Sequence, residues 1–245
     1  MLTGNDEKVS AATVSLLNSL SREPLNLPEC FTITCHAGAL DTPENKLEGM
    51  KSLVRSGAAV VEMDVSFRPD GTPCTIHKDA PGLNEGDDFD AMLSAVAESD
   101  SCMINLDLKA WHNLPEVDRL VKKHGLLSRV FYTGVGRDRV EQVRTTSVIP
   151  YYLNASVPAD KRNDPAAMAG FAKEMKEMGA LGLNTQFLNV SKTVVSAVHD
   201  CGLLVSAWTA NDRSTQCQLL ALGVDNITTL RPDVLKECIE LWGKF

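Results

Sequence analysis

Two apolar stretches of the chain carry ionisable side chains at alternate positions. Glu62 and Asp64 stand two apart in an otherwise aliphatic run, and Asn105, Asp107 and Lys109 are spaced in the same way in a second run. Because side chains two apart on a strand share a face, each set projects to one side. Carboxylates on such a face are costly to desolvate without a cation, and their oxygens suit Mg²⁺ or Ca²⁺. The spacing therefore predicts a divalent-metal site formed by Glu62, Asp64 and Asp107.

Two histidines follow β-type runs near these acidic segments. His36 comes after the run 31–35, and His77 ends a short strand that follows the turn at Pro69-Asp70-Gly71. Two imidazoles beside a metal suit phosphoryl chemistry, because one removes a proton from the nucleophile and the other protonates the leaving oxygen. Lys109 is spaced to neutralise a phosphate oxygen as a point charge. Together these residues predict metal-assisted phosphoryl chemistry.

The elements that must position these residues alternate between strand and helix from residue 30 onward. Strands are predicted at 31–35, 59–65, 103–108, 129–133, 148–153, 181–184, 203–208 and 225–228. Helices are predicted at 44–56, 90–98, 114–124, 137–144, 164–178, 191–201, 212–222 and 232–242. Eight strands separated mostly by helices are typical of an α/β (β/α)8 TIM barrel, and a doubly wound open sheet is the alternative. The polar residues cluster near the carboxyl ends of strands, where barrel active sites assemble, so the barrel is favoured.

The chain divides into a short accessory segment and one barrel domain. Within residues 1–29, apolar residues recur at helical spacing and predict an extra N-terminal helix against the bottom or side of the barrel; they are Val9, Ala12, Leu16, Leu17 and Leu20. Residues 30–245 are predicted to form the barrel. Glycines just past the predicted helices favour left-handed C-caps, namely Gly57, Gly125, Gly179, Gly202 and Gly223.

Composition and charge narrow the class of partner and the compartment. The net charge of −8 argues against a nucleic-acid partner and leaves a small-molecule substrate, since a bound cation supplies positive charge locally. Seven cysteines, an odd number with no paired spacing, predict reduced thiols in a cytoplasmic protein. No apolar stretch approaches the length of a transmembrane helix, and the N-terminus lacks the pattern of a signal peptide. The oligomeric state is left open.

The histidines outside these motifs are predicted to face solvent. His112, His124 and His199 fall on predicted helices or loops and have no acidic residue at a spacing that would pair with them. The acidic stretch at 84–90 lacks the ligand spacing of a calcium-binding loop and is predicted to be a surface loop that caps the next helix.

The order of the motifs resembles the glycerophosphodiester phosphodiesterase family over about residues 31–235. The matching positions are His36, Pro43-Glu44-Asn45, Glu62-Met63-Asp64, Asp70-Gly71, His77, Asp107-Leu108-Lys109, Trp208-Thr209-Ala210-Asn211 and Gly223-Val224-Asp225. The resemblance implies a (β/α)8 barrel and a role in lipid metabolism. It implies a hydrolase that uses one divalent metal ion, Mg²⁺ or Ca²⁺, to convert a glycerophosphodiester to glycerol 3-phosphate and an alcohol.

The resemblance also assigns roles to individual residues. The catalytic histidines of the family fall on His36 and His77, and its metal ligands on Glu62, Asp64 and Asp107. Substrate contacts fall on Lys109 for phosphate, on Trp208 as an apolar wall, and on Glu44 as a further ligand or an orienting group. The nucleophile is either a glycerol hydroxyl, which gives a cyclic intermediate, or a water molecule.

Three departures from the family pattern leave alternatives open. Ala37 replaces the usual arginine after the first histidine, and Asp107 replaces a glutamate. Only about thirty residues separate His77 from Asp107, where the family carries a longer insertion, so a more open site is expected. The alternatives are a related phospholipase-type barrel acting on a lysophospholipid or another phosphodiester, and a catalytically weakened binding or scaffold homologue.

Overall fold

A computed structural model describes residues 24–242, in which ten strands form one sheet that closes on itself. The strands are β1 Thr32–Cys35, β2 Val60–Phe67, β3 Pro73–Thr75, β4 Asp87–Asp88, β5 Met103–Leu108, β6 Val130–Val135, β7 Tyr151–Asn154, β8 Gly182–Gln186, β9 Leu204–Trp208 and β10 Asn226–Thr229. Parallel pairing runs β1-β2-β5-β6-β7-β8-β9-β10, and β10 pairs back to β1. The predicted (β/α)8 barrel is therefore confirmed and the open sheet is excluded.

Eight α-helices connect the strands of the described chain. They are α1 Leu47–Arg55, α2 Phe89–Ala97, α3 Leu114–Lys123, α4 Val140–Thr146, α5 Pro165–Glu177, α6 Lys192–Asp200, α7 Arg213–Leu222 and α8 Pro232–Glu240. The first helix begins at Leu47 rather than at residue 44, because Glu44 and Asn45 form a turn before it. The predicted helix ends at glycine are confirmed, since all five glycines adopt left-handed φ values between 69° and 79°.

A hairpin departs from the strand–helix rhythm after β2. Residues Val65–Phe67 pair antiparallel with β3, and β3 pairs with the two-residue strand β4. The short strand predicted between the turn at 69–71 and His77 is confirmed as β3, but it ends at Thr75, before His77. The strand β4 lies inside a stretch that was predicted to be a loop. Asp88 caps α2 by accepting a hydrogen bond from the Ala91 N–H at 3.0 Å, as the sequence indicates.

The barrel packs apolar side chains on two sides of its strands. Val61, Met63 and Val65 face outward into the layer between strands and helices and are fully buried there. Inside the barrel, a second apolar cluster plugs the amino ends of the strands; it contains Val60, Phe131 and Tyr152, with Met103, Leu181 and Leu204 packed against it. Because the plug closes the amino end, polar inward-facing residues can meet solvent only at the carboxyl end.

Neutral polar side chains fill the barrel above this plug. Asn226 donates to Thr34 Oγ1 at 2.7 Å and accepts from Ser206 Oγ at 3.1 Å, so three strands are linked across the interior. Satisfied hydrogen bonds of this kind remove most of the cost of burying polar groups. The ionisable residues occupy the next level toward the carboxyl ends.

The predicted N-terminal helix over 1–29 lies largely outside the described residues, and its boundary with the barrel at residue 30 stays a prediction. Residues 24–28, which are described, have no regular secondary structure. None of the helices between residues 24 and 242 is long and apolar enough to cross a membrane.

Two of the remaining histidines contradict the expectation that they lack acidic partners. His124 lies 2.7 Å from Asp90, and His199 lies 2.7 Å from Asp225. The partners come from other elements, 34 and 26 residues away, so local spacing gave no signal of them. His112 is exposed and its ring centroid lies 4.7 Å from that of Phe67.

Candidate active site

Residues from all eight barrel strands, or directly after them, line a cavity of about 420 Å³ at the carboxyl end of the barrel. The lining consists of His36, Glu62, His77, Asn105, Asp107, Lys109, Thr133, Gly134, Asn154, Asn184, Trp208, Thr209 and Thr228. Six of the eight sequence-predicted site residues are in this set. Of the other two, Asp64 contacts the cavity-lining Lys109 at 2.9 Å, and Glu44 brings an oxygen within 4.8 Å of Asp64 and His77.

Three carboxylates converge at one side of this cavity, on β2 and β5. Register pairs Glu62 with Asn105 and Asp64 with Asp107, so alternate residues of both strands project into the barrel together. One carboxylate oxygen from each of Glu62, Asp64 and Asp107 lies within 4.8 Å of the others. Glu62 is 3% exposed and Asp64 is 1% exposed, whereas Asp107 is half-buried. The predicted grouping of the three carboxylates is what the geometry shows.

Lys109 makes ion pairs with two of these carboxylates. Its Nζ lies 2.9 Å from Asp64 Oδ1 and 2.5 Å from Asp107 Oδ2. Burial lowers the pKa of Lys109, but the attraction of Asp107 and Asp64 outweighs burial and raises the pKa above its ordinary value. Lys109 therefore stays a cation at the edge of the carboxylate group, where a phosphate oxygen can reach it.

The pKa of Glu62 reflects the excess negative charge of the site. Burial, together with repulsion from Asp64 and Asp107, raises the pKa of Glu62 well above its ordinary value, although the Ala37 N–H donates to its Oε2 at 2.6 Å. Lys109 alone does not offset three clustered carboxylates. Hard oxygen donors, close together and short of positive charge, fit a divalent cation such as Mg²⁺ or Ca²⁺.

The two predicted catalytic histidines each approach one of the buried carboxylates. His36 Nδ1 donates to the carbonyl oxygen of Ala37 at 2.8 Å and lies 3.9 Å from Glu62 Oε2. His77 Nδ1 lies 3.3 Å from Asp64 Oδ2. Because a carbonyl oxygen only accepts, Nδ1 of His36 carries the proton, and Nε2 of the neutral ring is left as the acceptor. No residue between 24 and 242 hydrogen-bonds either Nε2 atom.

Asn45 is a site residue that the sequence interpretation did not single out. Its amide donates to Asp64 Oδ2 at 2.6 Å and its Oδ1 accepts from the Asp64 backbone N–H at 2.9 Å, so the Asn45 side chain binds both the carboxylate and the backbone of Asp64. Its φ of 53° is left-handed, a conformation that asparagine tolerates better than most residues. Neighbouring Glu44 is exposed and brings an oxygen within 4.8 Å of Asp64 and His77. The Pro-Glu-Asn motif was the available sequence signal, but only its glutamate was predicted to be a site residue.

The opposite side of the cavity is uncharged. Going round the barrel, β8 lies opposite β2, β7 opposite β1, and β9 opposite β5. These strands present Asn184, Asn154 and Trp208 to the cavity, followed by Thr209. We call these four residues the neutral wall, and we call Glu62, Asp64, Asp107, Lys109, His36 and His77 the charged corner. Asn154, Asn184 and Thr209 were not predicted from the sequence.

Comparison with known proteins identifies the family. Residues 100–234, more than half of the chain, match the family model described as the glycerophosphoryl diester phosphodiesterase family. The chain belongs to this family. As a glycerophosphoryl diester phosphodiesterase family member it is a phosphoric diester hydrolase. The matched segment contains Asp107, Lys109 and Trp208, whereas His36, Glu62, Asp64 and His77 precede it.

Individual relatives agree with this assignment in sequence and fold. A Bacillus subtilis strain 168 protein named as a candidate glycerophosphodiester phosphodiesterase, YhdW, is 23% identical over 239 residues, which cover 83% of this chain and 96% of that protein. A phosphodiesterase of Oleispira antarctica, solved in complex with the product sn-glycerol 3-phosphate, superposes with a TM-score of 0.69 at 18% identity over 87% of this chain and 97% of its own. A glycerophosphodiester phosphodiesterase of Agrobacterium tumefaciens gives 0.65 at 16% identity over 84% and 99%. The structural likeness shows the shared barrel.

The departures from the family pattern have defined places in the structure. Ala37 is 5% exposed, and its backbone N–H is the group bound to Glu62. Asp107, although shorter than the glutamate of the family, keeps contact with Lys109 and accepts from Thr133 Oγ1 at 2.8 Å. The segment between His77 and Asp107 contains β4, α2 and the first residues of β5 as its regular elements.

Proposed function

We propose that this phosphodiesterase hydrolyses a glycerophosphodiester to glycerol 3-phosphate and an alcohol, using one divalent metal ion at the charged corner. The observation that carries the proposal is the convergence of the Glu62, Asp64 and Asp107 oxygens within 4.8 Å, in a cavity that also exposes two histidines and Lys109. Such a set combines charge stabilisation with proton transfer in one place. The Oleispira antarctica phosphodiesterase in complex with sn-glycerol 3-phosphate supports the choice of product.

Glu62, Asp64 and Asp107 are the proposed metal ligands, with Glu44 as an additional ligand or an orienting group. When bound, Mg²⁺ or Ca²⁺ supplies Lewis-acid stabilisation of the phosphoryl charge. Lys109 contributes a fixed positive charge for a phosphate oxygen. Asn45 keeps the Asp64 carboxylate oriented through its hydrogen bond to Oδ2, while the bond from the Asp64 backbone N–H holds the Asn45 side chain in place. A divalent ion held by these carboxylates would offset the repulsion that raises the pKa of Glu62.

His36 and His77 are the proposed acid/base pair. The hydrogen bond from His36 Nδ1 to the Ala37 carbonyl leaves Nε2 to accept a proton from the nucleophile. Asp64 Oδ2, 3.3 Å from His77 Nδ1, orients the second ring. The same pair serves both routes, attack by a glycerol hydroxyl with a cyclic intermediate and attack by water. Trp208, 37% exposed at the end of β9, gives an apolar wall for the glycerol or the leaving group.

The direct test is release of glycerol 3-phosphate from glycerophosphocholine and glycerophosphoethanolamine with Mg²⁺, Ca²⁺, Mn²⁺ or EDTA. We expect metal-dependent release that is lost in His36→Ala and retained in His124→Ala, since His124 lies outside the cavity. Release that persists in EDTA would remove the metal from the mechanism. Hydrolysis of lysophosphatidylcholine but of neither glycerophosphodiester would replace the proposed substrate by that of a phospholipase-type relative.

A further inference from the structure

We propose that the neutral wall binds hydroxyl groups of the alcohol half of the substrate. The preferred diesters then carry an uncharged, hydroxyl-rich alcohol such as a second glycerol, inositol or a sugar, rather than choline or ethanolamine. This inference rests on the proposed function and adds a substrate class to it.

The neutral wall lies on the side of the cavity opposite the charged corner. Asn154 and Asn184 are paired residues on neighbouring strands, and they lie across the barrel from His36 and Glu62. Lys109 and the wall residues line the same cavity, so a phosphate placed at Lys109 has room for one substituent toward the wall. The glycerol hydroxyl next to the ester is one of the two candidate nucleophiles, and its proton acceptor is a histidine of the charged corner. The glycerol half therefore stays near the corner, and the alcohol half reaches the wall.

The hydrogen bonds of the two asparagines define what they can bind. Asn154 Oδ1 accepts from the Gly134 N–H at 3.0 Å and from Asn184 Nδ2 at 3.0 Å. Since a backbone N–H requires an acceptor, these bonds fix the orientation of both amides. Within residues 24–242, Asn154 Nδ2 and Asn184 Oδ1 have no hydrogen-bond partner, and both residues line the cavity. The wall thus offers one donor and one acceptor side by side.

A pair of vicinal hydroxyl groups matches this donor and acceptor, because each hydroxyl both donates and accepts. Asn184 is only 5% exposed, so a ligand that leaves its oxygen unpaired loses a hydrogen bond that water otherwise supplies. The match is therefore selective for hydroxyl-bearing ligands.

The charge of the wall argues against a cationic alcohol. Of the described residues that line the cavity from β7 to β10, none is ionisable. Quaternary ammonium groups are recognised by several aromatic rings or by carboxylates, and this side has one ring, that of Trp208. The carboxylates of the cavity are on the other side, where Lys109 and the backbone already engage them.

The test measures substrate binding in a variant whose turnover is strongly reduced. In the His36→Ala background, dissociation constants are measured calorimetrically for glycerophosphoinositol and for glycerophosphocholine. We expect glycerophosphoinositol to bind about tenfold more tightly, and Asn184→Leu to weaken its binding about tenfold while changing glycerophosphocholine less than twofold. Asn189→Leu is the matched control, because Asn189 is a half-buried asparagine just after β8 that contacts Thr185 and does not line the cavity.

A second variant keeps the test decisive if leucine disturbs packing. Asn184→Asp has the same shape and adds a negative charge, so the preference should move toward glycerophosphocholine. Equal weakening of both diesters by Asn184→Leu would place the glycerol half on the wall and overturn the inference. Tighter binding of glycerophosphocholine to the parent, or no binding of either diester, would also overturn it. Failure of the proposed function is a separate result, namely no hydrolysis of either diester by the unmodified protein with any metal.

Discussion

The charged corner and the neutral wall face the same cavity from opposite strands, but buried charges dominate the corner and hydrogen bonds between neutral groups dominate the wall. In the corner, Glu62 and Asp64 are almost fully buried and repel each other, and Lys109 offsets only part of their charge. On the wall, Asn154 and Asn184 satisfy each other in part and carry no charge. The corner is organised around charge that needs compensation, whereas the wall is organised around hydrogen bonds that need a ligand. The chemistry is thus proposed for the charged corner, and the substrate selectivity is proposed for the neutral wall.

Replacing either histidine should have the largest effect on catalysis and should distinguish the role of the charged corner from that of the neutral wall. His36→Ala and His77→Ala are each expected to lower kcat by about 10²–10⁴, because a positioned acid or base contributes that much. Substrate binding should change little, since the wall is intact. Steady-state kinetics at saturating metal measures both quantities, with His124→Ala as the control. Unchanged kcat in either variant would remove that histidine from the proposed pair.

The hydrogen bonds that orient the corner predict a smaller effect on metal affinity. Asn45→Gly keeps the left-handed backbone conformation, as its φ of 53° requires, and removes both bonds to Asp64. Loss of a partner that orients a ligand typically weakens metal binding by about 10–100-fold. Calorimetric titration with Mg²⁺ or Ca²⁺ measures the change, and Asn189→Gly should leave affinity unaltered. Equal affinity in Asn45→Gly and the unmodified protein would contradict the orienting role.

Trp208 belongs to the wall, so its removal should be milder. Trp208→Ala is expected to lower kcat/KM less than tenfold, mainly through KM, because a half-exposed ring contributes apolar contact without touching the reacting groups. Trp208→Phe should restore most of the loss. A fall of kcat as large as that of the histidine variants would show that the division between corner and wall is wrong.

Charge repulsion in the corner predicts a modest pH effect on stability. The pKa of Glu62 is raised above its unfolded value by burial and by Asp64 and Asp107, so the metal-free protein loses stability as pH rises through the raised pKa. Glu62→Gln removes this ionisation and keeps an oxygen for the Ala37 N–H.

We therefore expect the thermal midpoint in EDTA to fall less between pH 5 and pH 8 for Glu62→Gln than for the unmodified protein, by a few degrees. Glu141→Gln, an exposed change on α4, is the control. Parallel pH profiles for Glu62→Gln and the unmodified protein would show that ionisation of Glu62 does not destabilise the fold.

The sequence predicted the barrel because its strands and helices are well marked. Every barrel strand lies within a few residues of its predicted position, since apolar runs and left-handed glycines such as Gly57 and Gly223 bound the elements. The strand β4 was missed because two acidic residues, Asp87 and Asp88, carry no strand signal of their own. The extension of β2 to Phe67 also exceeds the prediction, because its last residues depend on pairing with β3.

The corner was predictable from the sequence and the wall was not. Carboxylates such as Glu62 and Asp64 are conspicuous in an aliphatic strand, because their burial is costly without compensation. Asparagines at strand ends, such as Asn154 and Asn184, look like ordinary turn residues, and only the strand order brings them together across from the corner. The partners of His124 and His199 were missed for the same reason, since contacts distant in sequence leave no local pattern.

The central claim, that the charged corner holds one divalent metal ion, is tested most directly by equilibrium metal binding. Protein freed of metal with EDTA and dialysed is titrated with Mg²⁺ and Ca²⁺, alongside Asp64→Asn and Asp107→Asn. Asp88→Asn is the control, because asparagine also caps α2 and position 88 is outside the cavity. We predict one ion per chain for the unmodified and control proteins and at least tenfold weaker binding for the two corner variants. No bound ion, or equal affinity in all four proteins, would contradict the account.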